Sequence, residues 1–364
     1  MIKKIITLIL TCCPLFFLCG CFDQQIFENT AIIIYAGAET TDEPDQLLFS
    51  IAAAESDGKD GSLLILSKKD ELLESAIAGM NRESSNPLRS GKIQDILFSE
   101  ELAKKGITTV SDVNHLDPAN RFLADYVVVQ GSPKEMLKVL EVMEKKNNSY
   151  GYLEQLLENA SDAGLCPNTL HQEFDIYFQT EGIDPILPLV SYDKEKEYIK
   201  IEGTALFRDD KMVDSLSIAE SRYLSIIMSS ADIISVKMDD LHKEGHDLTL
   251  NIIEGFRHAD VEIINDELYV TFHIRTRSYF SVGNWAEISE ASRNDIETEI
   301  ENKLEHRCLE VYKILQESGC DPTGVTAKVR GKFNEFYRSH DMNEVFTNAH
   351  VTFDINNTLV NQKD

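Results

Sequence analysis

Apolar positions start as an almost unbroken run, Ile5 to Leu18, behind Lys3 and Lys4, and then break into short periodic groups that continue to the C-terminus. Ala31 to Ala36 is a continuous apolar, β-branched run, the pattern of a strand buried on both faces. Leu47 to Ala54 and Leu63 to Leu66 predict two more strands, set off by the acidic loop Thr40 to Asp45 and the turn Asp57 to Gly61. Asp70 to Met80 has helical spacing. Ile93 to Phe98 predicts a strand, after which Ser99 caps a short helix with Glu100 and Glu101 in its first turn and Gly106 as its stop. Tyr126 to Val129 repeats the unit: strand, Gly131 as turn, then Ser132-Pro133-Lys134-Glu135, a capping box with proline at the first helical position. Strand and helix alternate, so residues 21–190 predict an α/β region with room for two small domains. Leu165 to Leu189 carries Pro167, Pro185 and Pro188, lacks clear periodicity, and reads as a connection between domains.

The second half changes period. Tyr198 to Phe207 predicts a strand, Asp209-Asp210 a hairpin turn, and Lys211 to Val213 the return. Ser217-Ile218-Ala219-Glu220 is another capping box and opens a helix to about Ser229. Val261 and Ile263, the turn Asn265-Asp266, and Val270, Phe272 and Ile274 alternating with Thr271, His273 and Arg275 mark an antiparallel sheet with one wet face. Ile296, Ile300, Leu304, Val311 and Leu315 form one stripe of a long helix that ends at Gly319. Val351, Phe353 and Ile355 alternate with polar residues as a closing amphipathic strand. The expected fold is therefore multi-domain and α+β or mixed α/β, with an N-terminal α/β region (21–190) followed by a C-terminal domain (195–364) of antiparallel sheet and long packed helices.

The first apolar run is a different object. Its fourteen residues rise about 21 Å as a helix, short of a hydrocarbon core of about 30 Å. A short apolar run behind positive charge reads as a removable signal peptide, residues 1–20. The run stops at Leu18-Cys19-Gly20-Cys21, which resembles the bacterial lipobox: a branched aliphatic residue, two small residues and a cysteine. Small residues suit a narrow peptidase pocket, and the Cys21 thiolate supplies the nucleophile for lipid transfer. The expectation is a lipoprotein whose first mature residue, Cys21, carries diacylglyceryl and palmitate-type acyl chains.

Composition and charge narrow the function. Hydrophobic residues make up 43 % of the chain, enough for real cores. Loss of residues 1–20 takes two lysines and no carboxylate, leaving 33 Lys+Arg against 62 Asp+Glu and moving the formal charge from −27 to −29. Such a surface repels nucleic acid and anionic lipid heads, so membrane attachment falls to the lipid anchor, for which two acyl chains suffice. With Cys21 consumed by lipid, Cys166, Cys308 and Cys320 remain as thiols in the mature chain, an odd number. Buried free thiols are the default expectation for them, with a Cys308–Cys320 disulfide left open.

Chemistry is sparse. The sequence holds no nucleophile elbow, phosphate loop, dinucleotide fingerprint or zinc helix. His242 and His246 sit four apart around Gly245 with no third ligand near, which favours a solvated loop. Ser339-His340-Asp341 are consecutive and read as a polar loop. Trp285, with Phe280 and Tyr279, reads as packing under a sheet. No catalytic residue, cofactor or metal ligand is expected, and Cys21 is the one residue assigned a role.

The order of these features resembles the C-subunit family of spore germinant receptors, the Ger(x)C-type lipoproteins. The resemblance runs from Cys21-Phe22-Asp23, through Ile96 to Ile107 and Ile201 to Val213, to the closing helix and strand; Glu202-Gly203-Thr204-Ala205-Leu206-Phe207 is its most specific stretch. Phe22 stands where the family usually has Trp, and Asn356, Asn357 and Asn361 where the closing strand usually leads to glycine. The resemblance implies a non-enzymatic, lipid-anchored subunit on the outer face of the spore inner membrane. It would be partnered by integral membrane A- and B-type subunits, with no nucleic acid. The alternative is a lipid-anchored solute-binding protein feeding a membrane transporter, which predicts two similar lobes around a cleft. A surface hydrolase is disfavoured by the missing motifs.

Overall fold

The computed structural model describes residues 30–43, 46–55, 62–108, 110, 124–238, 248–281 and 290–360. Strands β1 (Ala31–Thr40), β2 (Leu47–Glu55) and β3 (Leu63–Asp70) form an antiparallel meander, with the two-residue β4 (Leu88–Arg89) beside β1. On the other side of β1, strands β5 (Asp95–Ser99), β6 (Asp125–Val129) and β7 (Ile186–Asp193) run parallel to it, and β8 (Tyr198–Arg208) and β9 (Lys211–Ser217) close the sheet antiparallel. The order β3-β2-β1-β5-β6-β7-β8-β9 makes one mixed sheet. Helices cover both faces. On one, α1 (Leu73–Met80), α2 (Glu100–Lys105) and α5 (His171–Gln179) bury Leu73, Ala76, Leu102 and Phe174 against Ile33, Phe98 and Phe207. On the other, α3 (Pro133–Asn147) and α4 (Tyr152–Asp162) bury Leu137, Leu140, Leu153 and Leu157 against Tyr35, Leu97 and Val127.

Two expectations change here. Leu165 to Leu189 is not a bare connection, because it contains α5 and the first half of β7, an interior strand. Proline usually argues against an interior strand, since it lacks a ladder donor. Pro188 is tolerated opposite Thr204, beside a register shift at Leu189/Val190. The hairpin Tyr198–Ser217, expected with the C-terminal domain, pairs with β7 and completes the first sheet. Strand pairing thus runs across the expected 190/195 division.

The second layer is built from α6 (Ile218–Met228) and a four-stranded sheet of β10 (Ile234–Met238), β11 (Leu248–Ile264), β12 (Glu267–Phe280) and β13 (His350–Leu359). Asn265 and Asp266 both take positive φ, 53° and 66°, as a tight hairpin that preserves strand twist requires. β13 runs parallel to β12. The chain reaches it through α7 (Glu290–Ser318), α8 (Val325–Lys332), α9 (Asn334–Ser339) and α10 (Met342–Thr347), the long crossover a parallel pair needs. The predicted stripe of α7 is buried: Ile296, Ile300, Leu304, Val311 and Leu315 pack with Phe272, Phe353 and Ile355. The same core takes in Ile186, Leu206 and Leu216 from the first sheet.

The flank of α7 beside that stripe has a second job. Glu297, Glu301 and Glu305, four apart, accept from the outward backbone N–H groups of Leu359 (2.7 Å), Asn357 (2.8 Å) and Ile355 (3.5 Å). An edge strand presents a row of unpaired donors, and here a helix supplies carboxylates to them.

Candidate functional site

In an open sheet with parallel strands, ligands favour the crevice at the carboxyl ends of the strands, where successive crossovers leave to opposite faces. That place lies between β5 and β6, since α2 follows β5 onto one face and α3 follows β6 onto the other. A crevice of about 500 Å³ is found there, lined by Glu39, Ser99, Glu101, Lys104, Gly131 and Ser132 among others. Its polar groups are already engaged. Ser132 Oγ donates to Glu39 Oε2 at 2.5 Å and accepts from Glu135 N at 3.4 Å, and Glu39 also faces Lys134 N at 3.5 Å. The chain's own carboxylate therefore sits at the N-terminus of α3, where an anion would otherwise be favoured. Ser99 Oγ accepts from Leu102 N, Thr40 donates to Glu101, and Lys104 pairs with Glu100 at 2.5 Å. Both hydroxyls cap helices, so neither is poised as a nucleophile.

A second cleft, of about 340 Å³, opens between α6, β10 and α7, with Tyr223, Val236, Val311 and Ile314 as apolar walls and Arg222, Lys237 and Arg307 at the rim. Among the described residues, no group of three His, Cys, Asp or Glu side chains is placed to hold a metal ion. Nor, among them, is any helix long and apolar enough to cross a membrane.

Cys21, the His242/His246 pair and Trp285 lie outside the described residues. Ser339, His340 and Asp341 do not converge on a reaction centre. Asp341 caps α10, accepting from Asn343 N (2.9 Å) and Glu344 N (3.3 Å), while His340 stacks on Phe336 with ring centres 4.0 Å apart. Cys166, Cys308 and Cys320 are buried free thiols, and burial pushes the Cys166 thiol up to about 12.

The stretches that carry the family resemblance have a structural explanation. Gly203 sits at φ 140°, and a Cβ there would lie 2.0 Å from Leu216 O, so glycine is required. Thr204 Oγ1 meets Ser221 Oγ at 2.9 Å in the interior. Ala205 and Phe207 enter the core of the first sheet, and Leu206 the core of the second layer. The β8–β9 turn then grips the end of α2. Ile107 N donates to Asp210 O at 3.1 Å and Thr108 Oγ1 to Asp210 Oδ2 at 2.6 Å. The stretches Ile96–Ile107 and Ile201–Val213, distant in sequence, are thus one contact. That contact offers the Asp209–Asp210 turn as its exposed part, while the closing strand offers only its wet face: Thr352, Asp354 and Asn356 beside Thr271, His273 and Arg275.

Residues 23–192 match the spore germination protein N-terminal domain, and residues 202–362 match the spore germination B3/GerAC-like C-terminal domain. The chain belongs to the Ger(x)C family of spore germination proteins. It is similar to spore germination protein GerQC of Bacillus cereus, 27 % identical over 202 residues, which cover 55 % of this chain and 55 % of that protein. YfkR of Bacillus subtilis (strain 168) is 23 % identical over 216 residues, 54 % of each chain. The chain spans about half the length of the curated relatives it matches. The crystal structure of the GerBC protein shares the fold, with a TM-score of 0.60 and 18 % identity over 90 % of this chain and 97 % of that one.

Proposed function

We propose that this Ger(x)C protein is a lipid-anchored, non-enzymatic subunit of a spore germinant receptor, held through Cys21 on the outer face of the inner spore membrane beside integral A- and B-type subunits. The observation that carries the reading is the match of both germination-protein domains, in order, along residues 23–362, directly behind a lipobox. The physical features support it. The crevice at the carboxyl ends of β5 and β6 is lined by groups engaged in capping and pairing, which suits a scaffold that presents surfaces more than a centre that turns over substrate. A tether at Cys21 raises the local concentration of those surfaces for a membrane neighbour. The solute-binding alternative predicts two similar lobes, whereas the two sheets here differ in strand number and pairing.

The test is a cross-linked pull-down of tagged protein from spore inner membranes, with co-purified chains identified by mass spectrometry. Two membrane-embedded receptor subunits in constant ratio are expected. Recovery of an ATP-driven transporter, or of no partner despite intact membrane association, would overturn the proposal. Cys21→Ala tests the anchor separately and should move the protein from the membrane to the soluble fraction.

A further inference from the structure

A row of three polar side chains is buried beneath the elbow between α3 and α4. Tyr35 of β1, Asp95 of β5 and Asp125 of β6 are register neighbours across three parallel strands, and strand alternation points all three toward α3 and α4. Tyr35 and Asp95 have no exposed surface, and Asp125 has 4 %. Glu144, at the end of α3, is also fully buried; its Oε1 accepts from the Tyr35 hydroxyl, Gly151 N (3.0 Å) and Tyr152 N (2.9 Å), tying the elbow to the sheet. Among the described residues, Asp95 has no hydrogen-bond partner on either oxygen, and Asp125 Oδ1 and Glu144 Oε2 have none.

Among the described residues, the charged groups that act on the pair are carboxylates. Asp125, Glu154 and Glu144 face Asp95; Glu154 and Glu158 of α4 and Glu173 of α5 face Asp125. Tyr35 on β1 is neutral, and Gln94, just ahead of β5, brings an amide. Burial holds the Asp95 carboxyl well above the usual range and lifts Asp125 to about 7, with the neighbouring carboxylates adding to both. Ionising either acid in place puts uncompensated charge in the core, and relief requires water. The strands are fixed by their ladder, so water enters by lifting the elbow.

We propose that Asp95 and Asp125 form a proton-operated latch: protonated, they keep the α3–α4 elbow seated on the sheet, and ionised, they release it. Both acids hold protons more tightly when buried than when exposed. Their contribution is therefore complete below the unfolded carboxylate range of about pH 4 and is lost as pH rises through the folded values. For Asp125 that window runs from about pH 4 to about 7, and Asp95 extends it upward.

Hydrogen exchange of the full chain in nonionic detergent tests this, corrected for intrinsic exchange chemistry and read at residues 150–165, with residues 268–276 of β12 as an internal reference. One proton lost per opening changes the opening equilibrium roughly tenfold per pH unit. Between pH 5.5 and 7.5, opening at 150–165 should therefore grow at least about tenfold more than in the reference. Equal pH response in both segments overturns the latch, and that result needs no variant. Asp125→Asn and Asp95→Asn, nearly isosteric and uncharged, should each flatten the slope at 150–165. A double variant that folds and retains the wild-type slope also overturns it.

Discussion

Glu301→Ala isolates one rung of the carboxylate ladder between α7 and β13. The lost bond is a 2.8 Å charge-assisted contact to the backbone N–H of Asn357, on a half-buried side chain. Hydrogen bonds to charged groups contribute about 1.5–3 kcal/mol, and partial exposure puts this one at the lower end. Alanine returns a few tenths of a kcal/mol in helix propensity. Removing one acid from the 297/301/305 row also relieves like-charge repulsion of about 0.2–0.5 kcal/mol per neighbour. The net expected loss is about 1 kcal/mol. Glu301→Gln keeps the acceptor and sheds the repulsion, so it should lie near wild type. Glu297→Ala should cost slightly more than Glu301→Ala, since its bond to Leu359 N is 2.7 Å and it has one like-charged neighbour in the row where Glu301 has two, and Glu305→Ala should cost least, since its contact is stretched to 3.5 Å. Equilibrium urea unfolding at pH 7 gives the ranking. A Glu301→Ala protein within about 0.3 kcal/mol of wild type, or Glu305→Ala as the costliest of the three, would refute the role assigned to the ladder.

Gly203→Ala should cost at least about 3 kcal/mol or abolish soluble expression, because the φ of 140° is strained for alanine and its Cβ would meet Leu216 O at 2.0 Å; normal thermal unfolding of the variant would contradict this. Asp184 accepts from Asp321 N at 2.8 Å, and burial, its largest influence, raises its carboxyl to about 6. Its folded value exceeds the unfolded one, so its contribution is present at low pH and lost as pH rises from about 4 to 6; Asp184→Asn should flatten that part of a urea-midpoint profile. Asp341→Ala should cost about 1 kcal/mol through loss of the α10 cap, read as a lowered urea midpoint, and substitution by Asn or Ser should recover most of it.

Local signals carried much of the fold. The capping box at Ser217, the caps at Ser132 and Ser99 and the Asn265–Asp266 turn act within a few residues, and each is found where its sequence places it; the reciprocal half of the box expected at Ser132 does not form, because Ser132 N donates to the Tyr192 hydroxyl and Glu135 pairs with Lys138 and Lys194. Features that depend on distant partners were not legible. β7 was hidden by Pro185, just ahead of it, and by Pro188, which sits beside a register shift against β8. Glu297, Glu301 and Glu305 looked like a solvated helix face, because nothing near them in sequence names β13. Asp95 sat inside a predicted strand and Asp125 just ahead of one, where a charge ordinarily marks an end and not a buried neighbour pair. Glu202 to Phe207 offered the reverse: its family character was visible, but not that Gly203 to Phe207 serve packing.

The contact between α7 and β13 behaves as a vernier. Four residues of helix advance about 6.0 Å, while two residues of strand advance about 6.6–6.8 Å. Each rung therefore slips by more than half an ångström along the axis; the side chains absorb it at Glu297 and Glu301, with contacts of 2.7 and 2.8 Å, and the contact lengthens to 3.5 Å at Glu305. A further rung in either direction would fall out of step. The sequence obeys that limit: one turn before Glu297 stands Arg293, and one turn after Glu305 stands Leu309. A straight helix can shield only about three alternate donors of a neighbouring strand, which bounds how long an edge strand guarded in this way can grow.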